Sequence, residues 1–336
     1  MKIAMLVEAW YLKFARSFPW RAKSTPWGRL VSEFMAQQTQ IERVAQRWPQ
    51  MMDRFPTPKA MARSDEQAVL SLWQGLGYYR RAKHLKATSE MIERECDGEV
   101  PCELVQLLKL PGVGRYTAGA IASIAFGKRV PIVDGNVHRV LCRLHNKSET
   151  PTPCPWSWAR ATELVKECRD PSLFNEGLME LGATICTPRK PACGSCPLSE
   201  LCSSCKSGTQ DQVPPPRPPV KRKRLHHYAV VLTNNGEIAF EQRQDKGLWA
   251  SMWQVPTFET NEKLTAEQVA RKLCLSGKLG YSGSFEHTLT HRTIEFRVYV
   301  CEADRDERFT WHAKDSLASV PLASAQRKVL AVHCGA

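Results

Sequence analysis

Along residues 1 to about 205, apolar side chains recur every three or four positions. Leu30, Phe34 and Ile41 keep that spacing with Gln38 in register, as do Ala68 with Leu72 and Leu104 with Leu107 and Leu108. The spacing puts them on one face of a helix and predicts a largely helical region. Residues 116–126 are rich in small apolar side chains, which predicts a buried helix. Beyond residue 226 the texture changes. Short apolar runs at Tyr228–Leu232 and Ile238–Phe240 flank Asn234-Asn235-Gly236-Glu237, the pattern of a β-hairpin. Further strands are predicted over Thr293–Val300 and around Phe309-Thr310-Trp311, with helices at about 265–274 and 323–333. The C-terminal region therefore reads as α+β.

Between the two textures, residues 207–224 hold Val213-Pro214-Pro215-Pro216-Arg217-Pro218-Pro219 and the basic run Lys221-Arg222-Lys223-Arg224. Prolines extend such a segment and charges solvate it, so it predicts a semi-rigid linker. With 336 residues, 43% of them hydrophobic, each flanking region can bury its own core. The 47 basic and 34 acidic side chains leave a net charge of +13, which favours a polyanionic partner, although charge alone also fits a basic surface without one. The thirteen cysteines would suggest disulfides in a small secreted chain, but the N-terminal apolar run is interrupted by Glu8 and shows no export signal. No segment has the ~20 continuous apolar residues of a membrane span. The expectation is a soluble protein of the reducing cytoplasm that interacts with no membrane and uses clustered cysteines to bind metal.

Three motifs carry chemistry. Cys186-x6-Cys193-x2-Cys196-x5-Cys202 brings four thiolates within seventeen residues, enough to wrap one soft metal centre, either zinc or an iron–sulfur cluster. Cys205 lies outside that spacing and reads as a bystander. Leu110-Pro111-Gly112-Val113-Gly114-Arg115-Tyr116 has two glycines for a tight hairpin whose amides can face a phosphate, with Lys109 and Arg115 beside it. A plain joint between helices explains the glycines equally well, and the basic surplus tips the reading towards DNA. Asp134 in Val133-Asp134-Gly135-Asn136-Val137 opens a helix running to about His145; by itself it reads as an N-cap. Glu33 lies between apolar neighbours at the edge of a buried face, where its pKa would rise. A surface glutamate is the plainer reading of Glu33 alone.

Taken together these residues resemble the adenine DNA glycosylases of the MutY family, within the endonuclease III superfamily. The resemblance rests on Pro19-Trp20-Arg21, Ser32-Glu33-Phe34-Met35-Ala36-Gln37-Gln38-Thr39, Gly75-Leu76-Gly77-Tyr78-Tyr79, the Pro111 hairpin, Asp134-Gly135-Asn136-Val137 and the four cysteines, in order. It implies a mostly α glycosylase region over 1–206, with a helix-hairpin-helix six-helix barrel at about 25–133. A cluster module at about 1–24 and 134–206 would hold one 4Fe–4S cluster. A linker at 207–225 would lead to a Nudix-like domain at 226–336, to which Gly247-Leu248-Trp249-Ala250-Ser251-Met252-Trp253-Gln254-Val255-Pro256 is similar. The acidic Nudix box is missing after Pro256, so no magnesium-dependent pyrophosphatase activity is expected.

The implied activity is removal of adenine mispaired with 8-oxoguanine or guanine in duplex DNA, by a monomer that would be nucleoid-associated in a bacterium. Glu33 would be the general acid and Asp134 the sugar-stabilising carboxylate, supported by Tyr116 and Asn136. Gly112, Gly114 and Arg115 would bind backbone, Gln38 and Tyr78 would wedge into the duplex, and Glu176 would contact adenine. Arg189 and Lys190 of the cluster loop would grip phosphates. Leu289-Thr290-His291 stands where the family has a Phe-Ser-His loop that senses the lesion, so Thr290 and His291 take that place. Bifunctional relatives carry a lysine nucleophile where this chain has Tyr116, and a phenol forms no Schiff base. A bifunctional oxidised-pyrimidine glycosylase and a non-catalytic DNA-binding iron–sulfur protein are the competing readings.

Overall fold

The computed structural model describes residues 2–22, 25–148, 150–317 and 320–334, in two compact units. One comprises Met1–Arg63 with His84–Pro218, the other Ser64–Lys83 with Pro219–Ala336.

The first unit is helical. Its Pro26–Ala36 helix starts on Thr25, whose Oγ1 accepts the Gly28 N–H at 3.0 Å, and has proline at its first position. Leu30, Val31 and Phe34 are fully buried along it. The helix ends at Ala36, and the chain turns through Gln38 at φ 55° before the next helix, Ile41–Arg54. The periodic spacing from Leu30 to Ile41 therefore spans two helices and the turn between them, not one helix. Residues 116–126 also differ from a single helix: Arg115–Ala120 is α-helical and Ile121–Ala125 forms a π-helical turn.

A separate core in this unit joins the helices Lys2–Phe14, Gly135–Leu144, Pro155–Glu167 and Pro171–Thr184 through Val7, Val137, Leu141, Leu164, Phe174 and Leu178. Gly182 permits a close approach. A Cβ there would lie 2.6 Å from that of Asn136, so any larger residue would push the start of the Gly135–Leu144 helix away.

The second unit is built on a sheet of β1 (Lys223–Asn234), β2 (Glu237–Gln242), β3 (Trp253–Gln254), β4 (Thr257–Thr260), β5 (Gly280–Thr288), β6 (Arg292–Glu302) and β7 (Thr310–Ala313). The order is β3-β2-β1-β6-β5, with β4 pairing β1 and β7 pairing β2. Asn235 and Gly236 take positive φ, 45° and 82°, as the hairpin between β1 and β2 requires. β1 and β6 run parallel over eleven pairs, and β1 is buried on both faces. Ala229 and Val231 face one core with the Ser324–Cys334 helix; Tyr228, Val230 and Leu232 face another with the Ala266–Lys272 helix. The segment 64–83 packs on this domain: Gln74 donates to the Val320 carbonyl at 3.0 Å and Lys83 to the Ser251 hydroxyl at 2.7 Å. Among the described residues no helix is long and apolar enough to cross a membrane.

Candidate active site and cluster pocket

Glu33 sits near the end of the Pro26–Ala36 helix and is buried, 8% exposed. Burial pushes its carboxyl above the usual range, and the nearby Glu176 and Asp134 push the same way; Arg29 and a Tyr116 hydrogen bond oppose them. Arg29 is already committed, since its Nη2 lies 2.9 Å from Glu176 Oε1. Glu176 also accepts the Tyr11 hydroxyl at 3.0 Å. It is 6% exposed, a buried carboxylate held by Arg29 and Tyr11.

Asp134 has a different environment. It is the N-cap of the Gly135–Leu144 helix, accepting the Val137 N–H at 2.7 Å and the Asn136 Nδ2 at 2.9 Å. Burial raises its pKa, while the Val137 and Asn136 N–H groups, the Asn136 amide and the Arg139 charge pull it back. These donors all stabilise the charged form. Arg139 ties the arrangement together: it donates to Asn136 Oδ1 at 2.9 Å, the Gly182 carbonyl at 2.7 Å and the Cys186 carbonyl at 2.7 Å. A chain of hydrogen bonds thus runs from Asp134 through Asn136 and Arg139 to Cys186. Sequence reasoning missed Arg139 and Arg143, though both lie on the helix that Asp134 opens.

Tyr116 reaches the site from the hairpin. Gly112 takes φ 74°, and a Cβ there would come within 2.6 Å of the His84 ring, so the turn admits only glycine. Gly114 caps the Arg115–Ala120 helix. Tyr116 is then half-buried, hydrogen-bonded to Glu33 and 3.3 Å from Met179 Sδ. Arg115 is exposed, its guanidinium 3.9 Å above the Trp158 ring.

Cys186, Cys193, Cys196 and Cys202 line one cavity, and Cys205 lines it too. Burial pushes the Cys196 thiol up to about 11 and raises Cys193 and Cys202, with neighbouring sulfurs adding to each. Four thiolates coexist here only with positive charge among them. Donors are in place for the resulting anionic sulfurs. Arg143 Nη1 points at Cys186 Sγ from 3.4 Å, and backbone N–H groups of Leu198, Ser204 and Cys205 face Cys196 and Cys202. This donor set fits an iron–sulfur cluster. Arg143, 3% exposed, also clamps the loop through the carbonyls of Thr187 at 2.7 Å and Val213 at 2.8 Å. Arg189 and Lys190 stand exposed on that loop.

In the second unit, Tyr78 takes φ 48° and its hydroxyl is 2.5 Å from Thr290 Oγ1. Thr290 lies in the tight β5–β6 turn, where the Leu289 N–H donates to the Arg292 carbonyl at 2.8 Å. Leu289 packs on its own domain's core, and the His291 carbonyl accepts the Lys223 N–H at 3.0 Å. Gln38, in the first unit, occupies the left-handed turn described above.

Residues 31–156 match the HhH-GPD superfamily of base excision DNA repair proteins, residues 186–202 the iron–sulfur binding domain of endonuclease III, and residues 227–332 a NUDIX domain. The chain is similar to the adenine DNA glycosylase of Homo sapiens, 32% identical over 97% of this chain and 73% of that one. It is similar also to the adenine DNA glycosylase of Mycobacterium tuberculosis, 43% identical over 62% of this chain and 69% of that one. Among solved structures it resembles a thermostable thymine-DNA glycosylase, with TM-score 0.55 and 28% identity over 61% of this chain and 95% of that one. A non-covalent endonuclease III–DNA complex superposes with TM-score 0.51 and 25% identity, over 62% of this chain and 99% of that one.

Proposed function

The chain belongs to the adenine DNA glycosylase family, and from that premise we propose that it is a monomeric, monofunctional enzyme that removes adenine mispaired with 8-oxoguanine or guanine. As a member of that family it acts on DNA in base excision repair, hydrolyses the N-glycosidic bond of adenine and uses one 4Fe–4S cluster. The observation that carries the catalytic assignment is the contrast between Glu33 and Asp134. Burial raises the pKa of both, but the carboxylates of Glu176 and Asp134 add to it at Glu33, against Arg29 and Tyr116, whereas at Asp134 the Val137 and Asn136 donors and Arg139 all favour the charged form. Of the two, Glu33 is therefore assigned the proton and Asp134 the charge.

Adenine must leave the stack to reach them, at a cost of roughly a few kcal/mol. Glu33 then protonates N7, which turns the purine into a better leaving group. As the bond breaks, the sugar gains positive charge, and the Asp134 carboxylate stabilises it. The Tyr116 hydroxyl and Asn136 hold the two acids in place, and Glu176 is assigned to adenine contact. Gln38 and Tyr78 are assigned to the duplex wedge, and Gly112, Gly114 and Arg115 to the backbone. Cys186, Cys193, Cys196 and Cys202 would hold the cluster, which when bound pins the loop that offers Arg189 and Lys190 to phosphates.

Wild type should leave an intact abasic strand on duplexes with adenine opposite 8-oxoguanine, cut only after hot alkali. Borohydride should trap little adduct, and Tyr116→Lys should gain trapping. Strong adduct formation by wild type would restore the bifunctional reading.

Recognition of 8-oxoguanine is assigned to Thr290, His291 and Tyr78. Leu289, packed on its own domain, offers no aromatic wedge, so the paired hydroxyls carry the contact. Thr290→Ala should cut the preference for 8-oxoguanine over guanine opposite adenine by about 2–10-fold, the worth of one hydrogen bond. Tyr78→Phe should add less in the Thr290→Ala background than alone. An unchanged preference in Thr290→Ala would remove the turn from lesion sensing.

A further inference from the structure

The cavity that takes the cluster is lined by five thiols where a cluster uses four. Cys205 follows Cys202 by one turn of the short Ser203–Ser207 helix, and the chain reverses after it through Gly208 at φ 68°. The helix places Cys205 on the cavity wall. Its thiol is hydrogen-bonded to Cys193, and its N–H faces the Cys202 sulfur. Gln210, two residues past that turn, lines the same cavity with its Oε1 buried and unpartnered. The cavity thus holds one thiol beyond the four ligands, within reach of one of them.

We propose that Cys205 is a reserve ligand of the cluster that takes over the iron held by Cys193 when that bond is lost. The exchange needs no oxidant or reductant. The Cys205 thiol gives its proton to the departing Cys193 sulfur, one iron–thiolate bond forms as another breaks, and net charge is unchanged. Cys193 is the ligand replaced because it is the one in hydrogen-bond contact with the Cys205 thiol. Towards Cys202, Cys205 turns its backbone N–H, not its thiol.

The proposal rests on the cluster assignment, which iron-containing wild-type protein tests separately. Full-length serine variants, purified without air, are compared for iron and acid-labile sulfide per chain and for visible absorbance. Cys193→Ser should keep its iron within about twofold of wild type, while Cys196→Ser, with no substitute, loses it, because four thiolates are required. Cys193→Ser/Cys205→Ser should lose iron like Cys196→Ser, and Cys205→Ser alone should be fully loaded. A Cys193→Ser protein as iron-poor as Cys196→Ser, whether from lost ligation or failed folding, overturns the proposal. A second measurement avoids variants of the four ligands. Under a chelator, folded Cys205→Ala should release iron several-fold faster than wild type, and equal rates overturn the proposal.

Discussion

Glu33→Gln is expected to bind a duplex with adenine opposite 8-oxoguanine about as well as wild type, yet to excise adenine about 10²–10⁴-fold more slowly, the usual worth of general acid catalysis. Amide and acid are near-isosteric, so the Pro26–Ala36 helix and the Tyr116 contact survive while the transferable proton is gone. Single-turnover excision, measured with affinity on the same duplex, checks both parts. A loss below tenfold would take Glu33 out of the role. The pH dependence has a definite sign. The Glu33 pKa is raised by burial and then by neighbouring carboxylates, against Arg29 and Tyr116, so the acid stays protonated to higher pH than a solvent-exposed glutamate. Activity should fall as pH rises through that elevated value, and this alkaline limb should vanish from the residual activity of Glu33→Gln.

Asp134→Asn separates the two readings of Asp134. Asparagine caps a helix about as well as aspartate, so the Val137 N–H keeps an acceptor and the Gly135–Leu144 helix keeps its start. Only the charge is removed. If the carboxylate stabilises a cationic sugar, excision should drop about 10²–10³-fold, as when one preorganised electrostatic partner is lost. Thermal stability and DNA affinity should change little. Excision within tenfold of wild type would make Asp134 a cap and nothing more, whereas low activity with a large fall in melting temperature would mean that the cap was lost instead.

The sequence by itself determined the features that depend on near neighbours. The helical spacing of the first 205 residues, the Asn235-Gly236 hairpin, the left-handed turn at Gly112 and the cap at Asp134 all follow from contacts within a few residues. The four cysteines were legible for the same reason, since they lie on one short loop. Tertiary structure alone decided which charges are buried together. Arg29, one turn before Glu33 on the same helix, pairs with Glu176, 147 positions away, and whether Glu33 keeps its proton depends on its burial and on that pair together. Tyr78 and Thr290 meet across 212 positions, and the segment 64–83 joins the C-terminal unit despite its helical texture. Cys205 is outside the cysteine spacing, yet a one-turn helix places it in the wall of the cluster cavity. Propensity and capping act over a few residues of chain. Desolvation and Coulomb coupling act through space, so they become definite only once the chain has brought distant segments together.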